Sequence, residues 1–360
     1  MAVTRNYSIP DMDNITLAGD LSMVYNQVNW IQVVTSVLSI IGSGSIIGYA
    51  VFQNACRLPE VRPLFYLSVS DLLLAFCWLV GAVLYKSDTS GVKCFNLQAM
   101  GQIFYLSTFL YTANYVWQIF SHFRRRLSHD LNQISILETW IGRIVTVLCS
   151  LVPVLLICPV FYYGNTINCY GNNSCLVLNV GSHITIDYGF HTEDGCTAVH
   201  TYSTIIFMIT FSLSSISILV ILSYSYRLFR SIQNDSRLLE DHWTTITAAR
   251  YSLLLFPLIF IFCCLPVIIL IFVTMPGKND GWLPDGYQAL CYIQAFTAIS
   301  QGFLNSLAYG WTQQMIRCQK QNNYRDVDTQ TPLLRSQKNL YASMQTSTTS
   351  IGPLSVAAIR

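Results

Sequence analysis

Apolar and polar positions fall along this chain in long blocks, not in short amphipathic periods. No residue from Trp30 to Phe52, Phe95 to Phe120, His200 to Tyr226, Tyr251 to Met275 or Gln288 to Trp311 is Asp, Glu, Lys or Arg. Each block exceeds the ~20 residues with which an α-helix crosses the hydrocarbon of a bilayer. Two further blocks, Pro63 to Tyr85 and Ile141 to Tyr163, are as apolar except for Asp71 and for Arg143, which lies near the start of its block. The pattern therefore predicts seven spans, at about 30–52, 63–85, 95–120, 141–163, 200–226, 251–275 and 288–311. Backbone amides cannot face lipid unpaired, and the blocks lack the alternation of barrel strands, so the spans are expected to be helices. The expected fold class is an all-α membrane protein, a seven-transmembrane-helix bundle over residues 30–318, between an N-terminal tail at 1–29 and a disordered tail at 319–360.

Composition narrows the function. Of 360 residues 52% are hydrophobic and 11% charged, against about 25% charged in a typical soluble domain, which excludes an ordinary soluble enzyme. No paired Asp residues or Ser and His lie at membrane depth, so no enzyme, cofactor or metal site is expected, nor a nucleic-acid partner. Seven spans put the termini on opposite sides. Arg5, Lys86, Lys93 and Lys278 fall on the N-terminal side, and the other sixteen of the twenty Lys and Arg fall on the C-terminal side. The excess of positive charge predicts the N-terminus outside and the C-terminus inside. Sequons at Asn6, Asn14 and Asn172 agree with that orientation, whereas one at Asn234 falls on the inner side. The first 29 residues hold no signal-peptide pattern, so span 1 is expected to serve as its own insertion signal.

Twelve cysteines divide between the two sides. Cys94, at the outer mouth of span 3, and Cys169, Cys175 and Cys196, in the loop after span 4, lie where oxidation is favoured. Four cysteines permit three pairings. The expected one joins Cys94 to Cys196, tying the loop to the head of span 3, with Cys169 and Cys175 closing a small ring; the others stay open. His191, Glu193, Cys196 and His200 match no zinc-ligand spacing.

Asp71 is the only acidic residue in the middle of a span. An intramembrane carboxylate costs a few kcal/mol or more, so it should face the interior with partners, and Asn305 and Thr108 are the candidates. Pro266, within span 6, removes a backbone hydrogen bond and predicts a kink that is either a hinge or a static bend. The inner end carries FRRRL, with Arg124, Arg125 and Arg126, which suits an acidic partner or anionic headgroups.

Together LSVSDLLLA around Asp71, FIFCCLP with Phe260, Cys263 and Pro266, and NSLAY with Asn305 and Tyr309 resemble the G-protein-coupled receptor superfamily over roughly residues 30 to 318. GSGSIIGYAVF in span 1 and QGFLNSLAYG in span 7 are similar to its cyclic-AMP-receptor-like branch. The resemblance implies a receptor that takes an extracellular ligand, whose identity is unknown, and signals to a heterotrimeric G protein through Arg124, Arg125 and Arg126. It also implies a switch at Asp71, Thr108, Cys264, Pro266, Asn305 and Tyr309. Departures are Ser306 for the usual proline, Cys264 for the aromatic toggle, and no acid before Arg124.

Those departures keep a second reading in view, a receptor-shaped scaffold or trafficking protein that does not signal. A channel or transporter would want several intramembrane charges or repeated, broken helices, and a retinal protein would need a lysine in a span; none is there. The plasma membrane is the expected location, with an internal membrane as the alternative. Cys318, just past span 7, is a palmitoylation candidate, and the hydroxyls of 343–350 are candidates for phosphorylation.

Overall fold

The computed structural model describes residues 12–54, 61–85, 91–127, 134–169, 175, 193–233, 236–274 and 286–348. They form seven helices: α1 Met12–Phe52, α2 Arg62–Leu84, α3 Gly91–Leu127, α4 Ile134–Thr166, α5 Glu193–Gln233, α6 Ser236–Thr274 and α7 Tyr287–Thr348. Five of them carry segments long and apolar enough to cross a membrane: Met23–Phe52, Arg62–Leu84, Trp140–Thr166, Gly195–Arg230 and Arg250–Val273. The spans expected on α3 and α7 fall short of that apolarity.

Packing explains the difference. Consecutive helices lie against each other, α7 returns to α1 and α2, and α3 touches α2, α4, α5 and α6. A helix surrounded by protein does not have to be apolar all round, and α3 buries Ser107, Thr108, Thr112, Asn114 and Ser121. On α7 the buried face includes Gln294, Thr297, Ser300, Gln301, Asn305 and Thr312. The outside is the reverse. Phe76, Val83, Val147, Leu155, Leu213, Leu258, Phe272, Phe296 and Leu307 are all exposed. Polar groups within and large apolar side chains without is the distribution expected of a lipid-embedded bundle, where the solvent is hydrocarbon.

The core has an aromatic centre. Phe109 is fully buried, with the rings of Tyr105, Phe207, Phe211 and Phe260 at centroid distances of 5.0, 5.3, 5.9 and 5.4 Å. These lie within the range of favourable edge and tilted pairs, and they join α3, α5 and α6. Nearer the Arg62 end of α2, Leu64, Leu67, Tyr111, Tyr115, Phe120, Leu253 and Phe256 form a second cluster.

Two tail boundaries require correction. Helix α1 begins at Met12, inside the segment 1–29 expected to be a tail, because Val24 and Val28 have a place to pack: they cluster with Leu270, Tyr287, Cys291 and Ala295. Helix α7 continues to Thr348 through most of the segment expected to be disordered. Residues 311–351 contain no Gly and seven Gln, a residue that favours helix in spite of its polarity, although Pro332 and the many Ser and Thr do not. Residues 349–360 lie outside the described ones.

The disulfides also differ from expectation. Cys94 pairs with Cys175, Cα to Cα 4.7 Å, and Cys169 pairs with Cys196, 5.5 Å. The small ring between Cys169 and Cys175 is not made. Asn168 takes a left-handed conformation, φ 59°, and the Cys169 N–H donates to Gly164 O at 3.0 Å. This C-cap holds Cys169 at the end of α4, where the start of α5 brings Cys196 to it. Cys175 is left to reach the first turn of α3.

Candidate functional site

The buried polar residues of α1 recur at Asn29, Gln32, Ser36, Ser39 and Ser43. Steps of three and four keep one face of a helix turned to one neighbour, and that neighbour is α7. At the crossing two glycines face each other's helices. A Cβ on Gly42 would stand 2.7 Å from Phe303 Cα and 3.1 Å from Gly302 O; one on Gly302 would stand 2.5 Å from Ser39 Oγ and 3.2 Å from Asp71 Cβ. Backbone therefore meets backbone here, as small residues allow in membrane helix pairs. Asp71 of α2 sits against the same point.

Asp71 is 2% exposed, and Asn305 Nδ2 donates to its Oδ2 at 2.8 Å. This bond joins α2 to α7. Of the two partners expected for Asp71, Asn305 is the one that bonds. Thr108 is buried but donates its hydroxyl to Tyr105 O of its own helix at 2.8 Å, and a hydroxyl one turn from a carbonyl commonly takes that acceptor. Among the described residues Asp71 Oδ1 accepts no hydrogen bond, and the hydroxyls of Ser39, Ser43 and Ser68 make none. Farther along the seam both amide atoms of Gln32 and of Gln294, and Oε1 of Gln301, likewise make none. The α1, α2 and α7 junction is thus a polar column with one buried side-chain bond, at Asp71, and a second at its exposed outer end, where Tyr292 Oη of α7 donates to Gln27 Oε1 of α1 at 2.5 Å.

Tyr309 lies one turn beyond Asn305 and turns elsewhere. Its ring packs edge-on to Tyr49 of α1, centroids 5.8 Å apart, beside a cavity also lined by Ser45, Ser306, Gln313 and Arg317. Ser306, in the place of a proline, donates to Phe303 O at 2.7 Å. Pro266 is buried within a continuous α6, which holds a second proline, Pro257, that the sequence reading passed over. Cys264 is fully buried in the aromatic core with Tyr105, Phe109 and Phe260, and Cys263 Sγ lies 4.0 Å from Ser300 Oγ of α7.

At the end of α3, Arg124 is exposed and Arg125 half-buried, while the Arg126 side chain lies outside the described residues. Cys318 is exposed. Asn14 falls on the first turns of α1; Asn6 and Asn172 lie outside the described residues. The sequence reading did not mark the α1 row. Its signal was present in the 29, 32, 36, 39, 43 spacing, but a search for charge passes over Asn, Gln and Ser.

The family model described as Transmembrane protein 116 matches residues 25–343. The chain belongs to that family. The match runs from the first buried turns of α1 through nearly all of α7, so it takes in every helix of the bundle and the whole polar column. Membership of this family and five apolar helices make the protein an integral, multi-pass membrane protein.

Proposed function

We propose that the protein is a seven-span receptor, with its N-terminus outside, that passes an extracellular signal to a heterotrimeric G protein by rearranging its helices. The observation that carries this reading is the Asp71–Asn305 bond of 2.8 Å, set beside Asp71 Oδ1 and the hydroxyls of Ser36, Ser39, Ser43 and Ser68, which make no hydrogen bond among the described residues. A buried carboxylate is expensive, and one kept at membrane depth marks a functional position by default. Here its one partner is on another helix, and the serine hydroxyls beside it are unbonded and at hand for a second arrangement. Two packings that differ by a few hydrogen bonds are what a two-state element requires.

Helices α3 and α7 serve as the two remaining spans in this reading, their polarity turned inward. The positive residues place the α3 end with Arg124 and Arg125 in the cytoplasm, where they face the G protein. An outer cavity among α3, α4, α5 and α6, lined by Gln98, Gln102, His200, Ser203 and Phe207, is where the ligand would enter. Gln102 and Ser203 already join α3 to α5 there: Gln102 Nε2 donates to Ser203 O at 3.1 Å and Ser203 Oγ to Gln102 Oε1 at 2.5 Å.

A non-signalling scaffold is favoured by one feature, Cys264 packed where receptors of this kind carry an aromatic toggle. The deciding experiment measures cyclic AMP and calcium in cells expressing the wild type or a Tyr309→Ala, Arg124→Ala double variant, with surface level read from an N-terminal tag. Output that rises with wild-type expression and collapses in the variant at equal surface level is the expected result. Identical output from both at every expression level would remove the receptor reading in favour of the scaffold.

A further inference from the structure

Buried polar atoms without a partner are not spread evenly through the bundle. Among the described residues seventeen buried side-chain nitrogen and oxygen atoms make no hydrogen bond, and twelve of them belong to α1, α2 and α7, where these helices meet. Helix α1 contributes Asn29 Oδ1, both amide atoms of Gln32 and the hydroxyls of Ser36, Ser39 and Ser43. Helix α2 adds Ser68 Oγ, Asp71 Oδ1 and Trp78 Nε1, and α7 adds both amide atoms of Gln294 and Gln301 Oε1. None of these residues is more than 4% exposed. Left dry, each such atom forfeits the hydrogen bonds it makes with water in the unfolded chain, and twelve penalties of that kind together exceed the whole stability of an ordinary folded domain.

The atoms lie in line. Val28 of α1 packs in one cluster with Cys291 of α7, Gly42 approaches Phe303, and Tyr49 meets Tyr309, so α1 and α7 run side by side in the same direction. At about 1.5 Å per residue, Gln32 stands about 15 Å and Gln294 about 14 Å from the Gly42 level, toward the end of the bundle that carries the disulfides. Trp78 stands about 10 Å from Asp71 in that direction, and on the same face of α2, because seven residues make nearly two turns. Asn29 extends the line to about 20 Å. One end reaches the surface, where Gln27 accepts from Tyr292 at an exposed position. The other end is shut, since a Cβ on Gly42 would stand 2.7 Å from Phe303 Cα.

We infer that the seam among α1, α2 and α7 binds a file of ordered waters, open at the disulfide end and closed at Gly42, that brings Asp71 into exchange with the aqueous phase on the disulfide side. A buried water makes about three hydrogen bonds to groups that otherwise have none, so twelve atoms call for about four waters or a few more. The chemistry of the line suits water: it mixes neutral donors and acceptors, and Asp71 is its one ionisable group. Direct pairing is the alternative, and it falls short. Turning the Gln32 and Gln294 amides onto each other would satisfy at most their own atoms and leave the serines, Trp78 Nε1 and Asp71 Oδ1 as they are. This assignment does not depend on whether the protein couples to a G protein.

The test is hydroxyl-radical labelling of the purified full chain in nanodiscs by a brief X-ray pulse, after rapid mixing into water enriched in heavy oxygen. The radicals form from water and react where they form, so a buried side chain labels only where a water touches it. Corrected for intrinsic reactivity, Trp78 should label at least about tenfold faster than Phe109 and Phe256, which are as buried but lie in apolar clusters, and its label should carry heavy oxygen. A Gln32→Leu, Gln294→Leu double variant keeps the bulk and removes the amides; it should slow Trp78 labelling at least about threefold without lowering Tm. Ser214→Ala, at an unpaired hydroxyl on α5, should change nothing at Trp78. Should the double variant fail to fold, the wild-type comparison of Trp78 with the two phenylalanines still decides. Trp78 labelling no faster than Phe109 would overturn the water file in favour of a dry seam. Fast labelling without heavy oxygen would overturn its opening to the surface.

Discussion

Gly42 offers the sharpest test of the column. Adding one methyl there places a Cβ 2.7 Å from Phe303 Cα, whereas carbon atoms rest at about 3.5–4.0 Å. The obstacle is backbone, so no rotamer change relieves it; α1 and α7 have to separate by about 1 Å. Overpacking of this kind costs about 1–3 kcal/mol, and alanine's better helix propensity returns about 1 kcal/mol. The net loss is about 0–2 kcal/mol, a fall in Tm of up to roughly 8 °C for a chain of this order of size, and a deficit of about 1–3 kcal/mol against an alanine placed where there is room. Gly302→Ala differs in kind. Its Cβ meets the hydroxyls of Ser39 and Ser43, which are removable, so Ser39→Ala and Ser43→Ala should restore most of the loss. Gly44, with nothing within 4 Å of its Cβ position, is the control, and Gly44→Ala should hold or raise Tm. Thermal unfolding of the detergent-solubilised protein can be followed with a thiol-reactive dye, because Cys77, Cys149, Cys263, Cys264 and Cys291 are free and buried. A Gly42→Ala variant no less stable than Gly44→Ala would refute the close approach of α1 and α7.

Three further outcomes are expected. Asp71→Ala should destabilise by about 1–3 kcal/mol, since it leaves the Asn305 amide buried without its acceptor, while Asp71→Asn keeps an acceptor and should fold better yet change signalling; the same dye assay beside the messenger assay separates the two. Peptide mapping of the non-reduced protein should recover Cys94 joined to Cys175 and Cys169 joined to Cys196, and Cys175→Ser should leave Cys94 open to alkylation with the second bridge intact. Glycosidase treatment should shift the protein's mobility through Asn14 or Asn172 and not through Asn234; a shift lost only on Asn234→Gln would reverse the proposed orientation.

How much of this was legible in the sequence depends on what each residue is constrained by. The helices were legible because lipid forbids unpaired backbone, and length and apolarity then mark each segment. Asn305 was legible as a partner of Asp71 because a lone carboxylate at depth has few polar side chains to meet. Thr108 was equally placed by that argument, and the structure separates the two by local chemistry: a threonine can satisfy itself on Tyr105 O, whereas an asparagine amide at Asn305 reaches across to α2. The disulfide pairing was not legible, since it depends on where the C-cap at Asn168 leaves Cys169. The ends of α1 and α7 were not legible from span length, which measures lipid thickness and says nothing of how far a helix continues beyond it.

The α1 row shows why hydropathy hides the interior of such a protein. Ser36, Ser39 and Ser43 lie in a segment that passes as a span, yet all three face inward and are buried. Along that face the two helices are joined in different ways. At Gly42 and Gly302 backbone lies against neighbouring atoms and little can slide; at Gln32 and Gln294 the amides are buried and make no hydrogen bond among the described residues. A contact fixed by sterics at one level and unpaired polar groups at another make a pivot, because tilting α7 about the glycines breaks no hydrogen bond among those amides. The Asp71–Asn305 bond sits beside the pivot and has the shortest lever, so such a tilt strains it least, whereas the bond from Tyr292 Oη to Gln27 Oε1 lies farther out and is loaded first. The glycine pair and the Asp71–Asn305 bond thus hold α1, α2 and α7 together at the one level where the helices have least room to move.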